Sequence, residues 1–179
     1  MTPEKVLKKT RHYSGKIIDL EVWESQLGDG MRANRELVLH SPAVAIIPIL
    51  SADQFVMVQQ FRPAADQMLW EIPAGSVDKH ENLEAAAKRE LAEETGYGCK
   101  KIIPLFGAYP SPGFLTEKIT VYVAQDLFAA PQAPDADERI QIKTFTQTEI
   151  LKMIQNNTIQ DFKTIASFLY YLKFFEHGN

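Results

Sequence analysis

In the stretch "RELAEETG", Arg89 to Gly96, three glutamates fall within five positions at the end of a run of good helix formers, "NLEAAAK". Gly96 is a natural helix stop, so the spacing predicts a helix from near Asn82 to Thr95. Glu90, Glu93 and Glu94 then occupy its last turns, where the macrodipole is already negative. Glu90 and Glu94 stand at i,i+4, and like charges so placed cost roughly 0.2–0.5 kcal/mol. At about 100° per residue, Glu94 lies about 40° to one side of Glu90 and Glu93 about 60° to the other, so the three carboxylates share one face. Arg89 neighbours Glu93 at i,i+4 and is placed to orient it. A solvated acidic face accounts well for Glu84 with Lys88, an ordinary exposed pair, and badly for Glu90 with Glu94. A hard divalent cation reverses the balance. Mg²⁺ takes clustered oxygen ligands and keeps waters and substrate phosphates, and Mn²⁺ also fits. The turn Pro73-Ala74-Gly75 ahead of the helix can add a backbone carbonyl.

The elements that must position these carboxylates are legible in outline. Leu83, Ala87 and Leu91 form an apolar stripe at i, i+4, i+8 that can lie against a sheet. Before the helix, "KIIDLEVWESQL" and "RANRELVLH" read as strands joined through "GDG", a hairpin signal. "AVAIIPIL" and "QFVMVQQFR" form a second hairpin. The first of these is apolar throughout and expected to be buried on both faces. "MLWEIP" is a short strand. After the helix come the strands "KIIPLFGAY", "KITVYVAQDL" and "RIQIKTF", then two closing helices, "TQTEILKMIQNN" and "QDFKTIASFLYYLKFFEH". On the last, Phe162, Ile165, Phe168, Leu169 and Leu172 are expected to face the core. The order implies an α/β (α+β) fold, a mixed sheet sandwiched between helices. Residues 1–42 form a β-hairpin arm and residues 43–179 the main domain.

The chain has 179 residues, 45% hydrophobic and 23% charged, enough for a real core. A net charge of −4 provides no general basic field for nucleic acid or an anionic membrane. The single cysteine, Cys99, excludes an internal disulfide framework and a thiolate-rich metal site. The amino terminus "MTPEKVLKKTRHYSGK" lacks the apolar core of a signal peptide, and no run approaches a membrane span, so a cytoplasmic protein is expected.

From Gly75 the sequence runs glycine, five residues, Glu81, seven residues, Arg89-Glu90-Leu91, one residue, Glu93-Glu94, one residue, Gly96-Tyr97. This resembles the complete Nudix box, with Tyr97 where the pattern usually has an aliphatic residue. The stretches "QQFRP", "EIPAG" and "YPSPGFLTE" are similar to the ADP-ribose pyrophosphatase and nucleotide-sugar branch of that family. In that branch a proline follows the box by some fifteen residues, a place that Pro110 or Pro112 fills.

The resemblance implies hydrolysis of a nucleoside diphosphate linked to another moiety by a metal-activated water. It implies Glu90 and Glu94 as metal ligands, Glu93 as a ligand or its outer partner, and the Ala74 carbonyl as a further contact. Arg89 and Glu81 orient the loop and helix. Arg62 is a candidate for substrate phosphate or base, Glu71 for base or ribose, and Glu117 for metal or the distal sugar. Trp23 or Phe55 is placed to stack on the base. A general base is expected in the acidic loop "DADERIQI", with Glu138 first and Asp137 second; Gln141 replaces a glutamate common in the branch. Branch relatives are commonly homodimers through the N-terminal hairpin. ADP-ribose and GDP-mannose lead the substrates. Competing readings are a non-catalytic domain that senses a nucleotide sugar and a hydrolase of dinucleoside polyphosphates or RNA caps. The intact glutamates weigh against the first, and the charge and proline signature weigh against the second.

Overall fold

A computed structural model describes residues 3–130 and 139–175. It divides into two compact units, one built from the chain up to Pro42 with Ala108–Ile119, the other from Ala43–Gly107 with the chain from Thr120 onward.

The first unit is a three-stranded antiparallel sheet of β1 (Lys5–Ser14), β2 (Ile18–Gln26) and β3 (Arg32–His40), in that order. The hairpin expected at "GDG" is β2–β3. Gly30 adopts φ 88°, a conformation that favours glycine, and the Leu27 N–H closes the loop on the Met31 carbonyl at 2.8 Å. Strand β1 was not legible. "KVLKKTRHYS" is exposed almost throughout, and a strand with no apolar face carries no alternating signal. The Ser111–Thr116 segment docks on β3: the Val38 N–H donates to the Phe114 carbonyl at 2.8 Å and the Thr116 N–H to the Val38 carbonyl at 3.0 Å.

The second unit holds a mixed seven-stranded sheet. Its strands are β4 (Ala43–Ser51), β5 (Gln54–Arg62), β6 (Gln67–Glu71), β7 (Ala74–Ser76), β8 (Tyr97–Ala108), β9 (Ile119–Ala129) and β10 (Gln141–Thr146). The order is β10-β5-β4-β9-β8, with β6 paired to β5 and β7 to β4. The helices are α1 (Leu83–Thr95), α2 (Gln147–Gln155) and α3 (Phe162–Tyr170), which widens into a π turn over Tyr171–Phe175. Residues Ala43 to Pro48 of β4 are all buried, as a run without polar residues demands. Ala86, Ala87 and Leu91 of α1 pack with Val44, Ile46, Tyr122 and Ala124. Leu83, the first helical residue after the Asn82 cap, stays exposed. The stripe that meets the sheet therefore begins one turn later than expected.

Helix α3 is rotated from the expected face. Phe162 is 69% exposed and Leu169 is exposed, while Thr164, Ser167, Phe168 and Tyr171 are buried. Polar bonds set this rotation. Asp161 caps the helix by accepting from the Thr164 N–H at 3.0 Å, and the Thr164 hydroxyl accepts the Ile72 N–H at 2.9 Å. Thr164 is thereby drawn into the buried face. Phe55 is 1% exposed, edge-on to Phe168 at 5.2 Å and to Tyr171 at 5.7 Å; it is a core residue and not a base-stacking one. No helix among the described residues is long and apolar enough to cross a membrane.

Candidate active site

Helix α1 is capped at both ends. The Asn82 side chain accepts from the Ala85 N–H at 2.8 Å. At the other end Gly96, at φ 70°, donates its N–H to the Ala92 carbonyl at 2.9 Å. Its last turn has no basic residue, so the glutamates lie where the dipole opposes them.

Arg89 resolves much of that conflict. A guanidinium has five N–H donors, and all five are used. Nε and Nη2 donate to Glu81 at 3.1 and 3.0 Å, and Nη2 also to the Ser76 carbonyl at 3.0 Å. Nη1 donates to Glu90 at 2.8 Å and to Glu93 at 2.9 Å. These bonds raise the pKa of Arg89 and hold the Glu81 carboxyl below its ordinary range. Glu81 in turn accepts the Asp78 N–H at 3.2 Å. Arg89 thus ties the loop between β7 and α1 to the glutamate face.

Glu94 turns the other way. It is buried, and its Oε2 accepts the Ala74 N–H at 3.0 Å. Strand β7 lies on β4 through Ala45–Ala74 and Val44–Gly75. A Cβ built on Gly75 would overlap the Glu90 carboxylate. Only a residue without a side chain lets Glu90 lie against this strand.

As the side chains stand, no three acidic, histidine or cysteine groups among the described residues are gathered to ligate a metal; Arg89 holds Glu90 and Glu93. The donor set still fits a hard divalent cation. It is all oxygen, Gly75 clears space at the Glu90 carboxylate, and Glu94 is anchored on the turn that carries Ala74.

Beside this junction lies an ionic cluster. The bound edge of Arg62 pairs with Glu71, Nε to Oε1 and Nη2 to Oε2, both at 2.7 Å. Lys163 Nζ donates to the same Oε2 and pairs with Asp161 at 3.0 Å. Burial pushes the Glu71 carboxyl up, but the bonds and charges of Arg62 and Lys163 together hold it below the ordinary value. The bond to Glu71 raises the pKa of Arg62, and the Glu94 carboxylate is near enough to contribute. Arg62, Glu71 and Glu94 therefore belong to one electrostatic neighbourhood. Lys163 was missed from the sequence. An aspartate N-cap at Asp161 is a readable helix start, but nothing local marks the lysine two residues on.

Trp23 and Glu117 lie in the first unit with local partners. The Trp23 indole N–H donates to Glu21 at 2.7 Å, and Lys9 Nζ sits 3.8 Å from its ring centroid. Glu117 faces His40 Nδ1 at 3.7 Å. Glu138 and Asp137 lie outside the described residues. Gln141 opens β10 opposite Gln59.

A mixed sheet thus carries an acidic helix end against a glycine turn, with Arg62 and Glu71 nearby. Residues 39–168 match the NUDIX domain model. The chain is 37% identical over 169 residues to the ADP-ribose pyrophosphatase of Bacillus subtilis, covering 93% of this chain and 91% of the relative. It is 38% identical, with the same coverage, to the methanol dehydrogenase activator of Bacillus methanolicus. Over 125 residues it is 35% identical to the GDP-mannose pyrophosphatase of Yersinia enterocolitica, 68% of this chain and 65% of that one. The crystal structure of an ADP compounds hydrolase shares the fold with a TM-score of 0.86 at 19% identity, over 96% of this chain and 94% of the other. The chain belongs to the Nudix family.

Proposed function

We propose that this protein hydrolyses the diphosphate bridge of nucleoside diphosphate sugars, ADP-ribose and GDP-mannose foremost, to a nucleoside monophosphate and a sugar phosphate. The observation that carries the proposal is the turn–helix junction, where Glu94 accepts the Ala74 N–H and Glu90 lies against Gly75. The pyrophosphatase relatives support the substrate class.

Glu90, Glu94, the Ala74 carbonyl and Glu93 would hold the family's divalent metal, for which Mg²⁺ is our choice and Mn²⁺ a substitute. When bound, that cation neutralises diphosphate charge and makes water a better nucleophile near neutral pH. Arg89 Nη1 bridges Glu90 and Glu93 and offsets their mutual repulsion, which keeps both ionised on one helix face until a cation takes them over. Arg62 has given Nε and Nη2 to Glu71, and its side chain is 40% exposed. Its remaining edge is assigned to a substrate phosphate, with Glu71 acting through it. Glu138, with Asp137 second, is assigned the proton of the attacking water as that oxygen bonds to phosphorus and the bridging oxygen leaves. Glu117 and Trp23 remain assigned to the sugar and base ends. We place the protein in the cytoplasm as a homodimer through the N-terminal unit. Exposed Val6, Leu7, Tyr13 and Ile17 support that dimer.

The test is a panel of nucleotide sugars with Mg²⁺, scored by release of phosphatase-sensitive products. ADP-ribose or GDP-mannose should release phosphate only after phosphatase is added. A panel without turnover, with a dinucleoside polyphosphate or a capped RNA cleaved instead, would overturn the substrate class.

A further inference from the structure

The Glu71 side chain is 2% exposed, yet two cations share its carboxylate. Arg62 closes on both oxygens, and Lys163 donates to Oε2 from the first turn of α3. A bidentate arginine–carboxylate pair taken alone has no net charge. An arginine so paired attracts a further anion weakly, because its field is cancelled at short range. The lysine keeps that balance from turning negative. With Asp161 it makes a group of two cations and two carboxylates. Without it, one guanidinium would face Glu71, Asp161 and the nearby Glu94.

The same geometry separates this electrostatic role from a structural one. The first turn of α3 is already fastened without the ammonium. Asp161 Oδ2 accepts from the Thr164 N–H at 3.0 Å and from the Thr164 hydroxyl at 2.5 Å. That hydroxyl accepts the Ile72 N–H, directly after Glu71. Pro73 follows, its carbonyl accepting the Ile46 N–H at 2.9 Å, and then Ala74, bonded to Glu94. The strand leading to the glutamate face is held by these bonds to its backbone N–H and C=O groups. Among the described residues no acceptor takes Arg62 Nη1.

We propose that Lys163 is a positioning residue for substrate binding: by sharing the Glu71 carboxylate it leaves Arg62 with charge, and its Nη1 edge, to present to the substrate diphosphate. This rests on the reading of Arg62 given above. The lysine does not touch the substrate in this account. Its effect therefore falls on the affinity for a polyanion and not on the bond-breaking step.

Steady-state kinetics with ADP-ribose and Mg²⁺ test it. Lys163→Met keeps the stem and removes the charge. KM should rise about tenfold, the scale of one unit charge lost about 12 Å from a phosphate at an effective dielectric of about 20, with kcat within about threefold. Lys163→Arg should keep KM within about threefold of the parent. Glu71→Gln combined with Lys163→Met removes one charge of each sign, and its KM should fall back below that of Lys163→Met alone. A Lys163→Met protein with lowered kcat and melting temperature but unchanged KM would make the lysine a brace and overturn the proposal. If Arg62→Gln raises KM and Lys163→Met does not, this inference alone falls. If Arg62→Gln also leaves KM unchanged, the reading of Arg62 falls and this inference with it.

Discussion

Gly75→Ala isolates the contact between the glycine turn and the acidic helix. Gly75 lies outside the left-handed region, so alanine meets no backbone strain there, but its Cβ would overlap the Glu90 carboxylate. The obstructing atoms are the far end of a flexible side chain, so the fold can yield cheaply by moving Glu90. We expect the melting temperature to stay within about 3 °C of the parent. Function cannot yield so cheaply, because the displaced atoms are those assigned to the cation. Restoring ordinary contact requires the carboxylate to move by about 1 Å, a misplacement that costs about a hundredfold in rate, or about 2.7 kcal/mol of transition-state stabilisation. The assay is kcat/KM for ADP-ribose at saturating Mg²⁺, beside a thermal melt. A variant with parental stability and parental kcat/KM would refute the claim that the position of Glu90 matters. A variant that fails to fold would refute the claim that the clash is relieved at the side chain.

Three further outcomes are expected. Glu138→Gln should lower kcat by about 10²–10⁴-fold, as removal of a general base does, with little change in Mg²⁺ dependence; greater damage from Asp137→Asn would move the base one residue back. Thr164→Val should cost about 1–3 kcal/mol in urea denaturation, because the buried Ile72 N–H loses its acceptor; an unchanged midpoint would show that bond to be dispensable. The Glu71 carboxyl is held below its ordinary value, so the folded state binds fewer protons than the unfolded state between the two values. Its contribution to stability is complete above the ordinary carboxylate value of about 4.3 and is lost as pH falls through the depressed one. Melting curves against pH should therefore fall less steeply on the acid side in Glu71→Gln than in the parent, and equal slopes would contradict the shift.

Much of the main domain was legible because its signals are local. Asn82 and Gly96 bound α1, the apolar run of β4 demands burial on both faces, and fixed spacings carry the glutamates. What escaped depends on contacts far apart in sequence. Lys163 meets Glu71 across 92 positions, and no local pattern links them. The rotation of α3 follows from a threonine bonded to a distant backbone N–H, so hydrophobic periodicity placed Phe168 correctly but set Phe162 and Leu169 wrongly on the buried face. Strand β1 has no continuous apolar face and is held by pairing with β2 and by the ion pair Arg11–Glu21. The spacing of Arg89 announced its bond to Glu93 but not those to Glu81, Glu90 and Ser76. The bonds to Glu81 and Ser76 depend on how the loop after β7 returns over the helix.

Titration of Mn²⁺ into the protein, followed by the electron paramagnetic resonance signal of the unbound ion, tests the central claim most directly. The parent should remove Mn²⁺ from solution and Glu90→Gln/Glu94→Gln should not, while circular dichroism and the melting curve report a folded protein for both. A doubly substituted protein that binds Mn²⁺ as tightly as the parent would place the metal elsewhere and contradict the account.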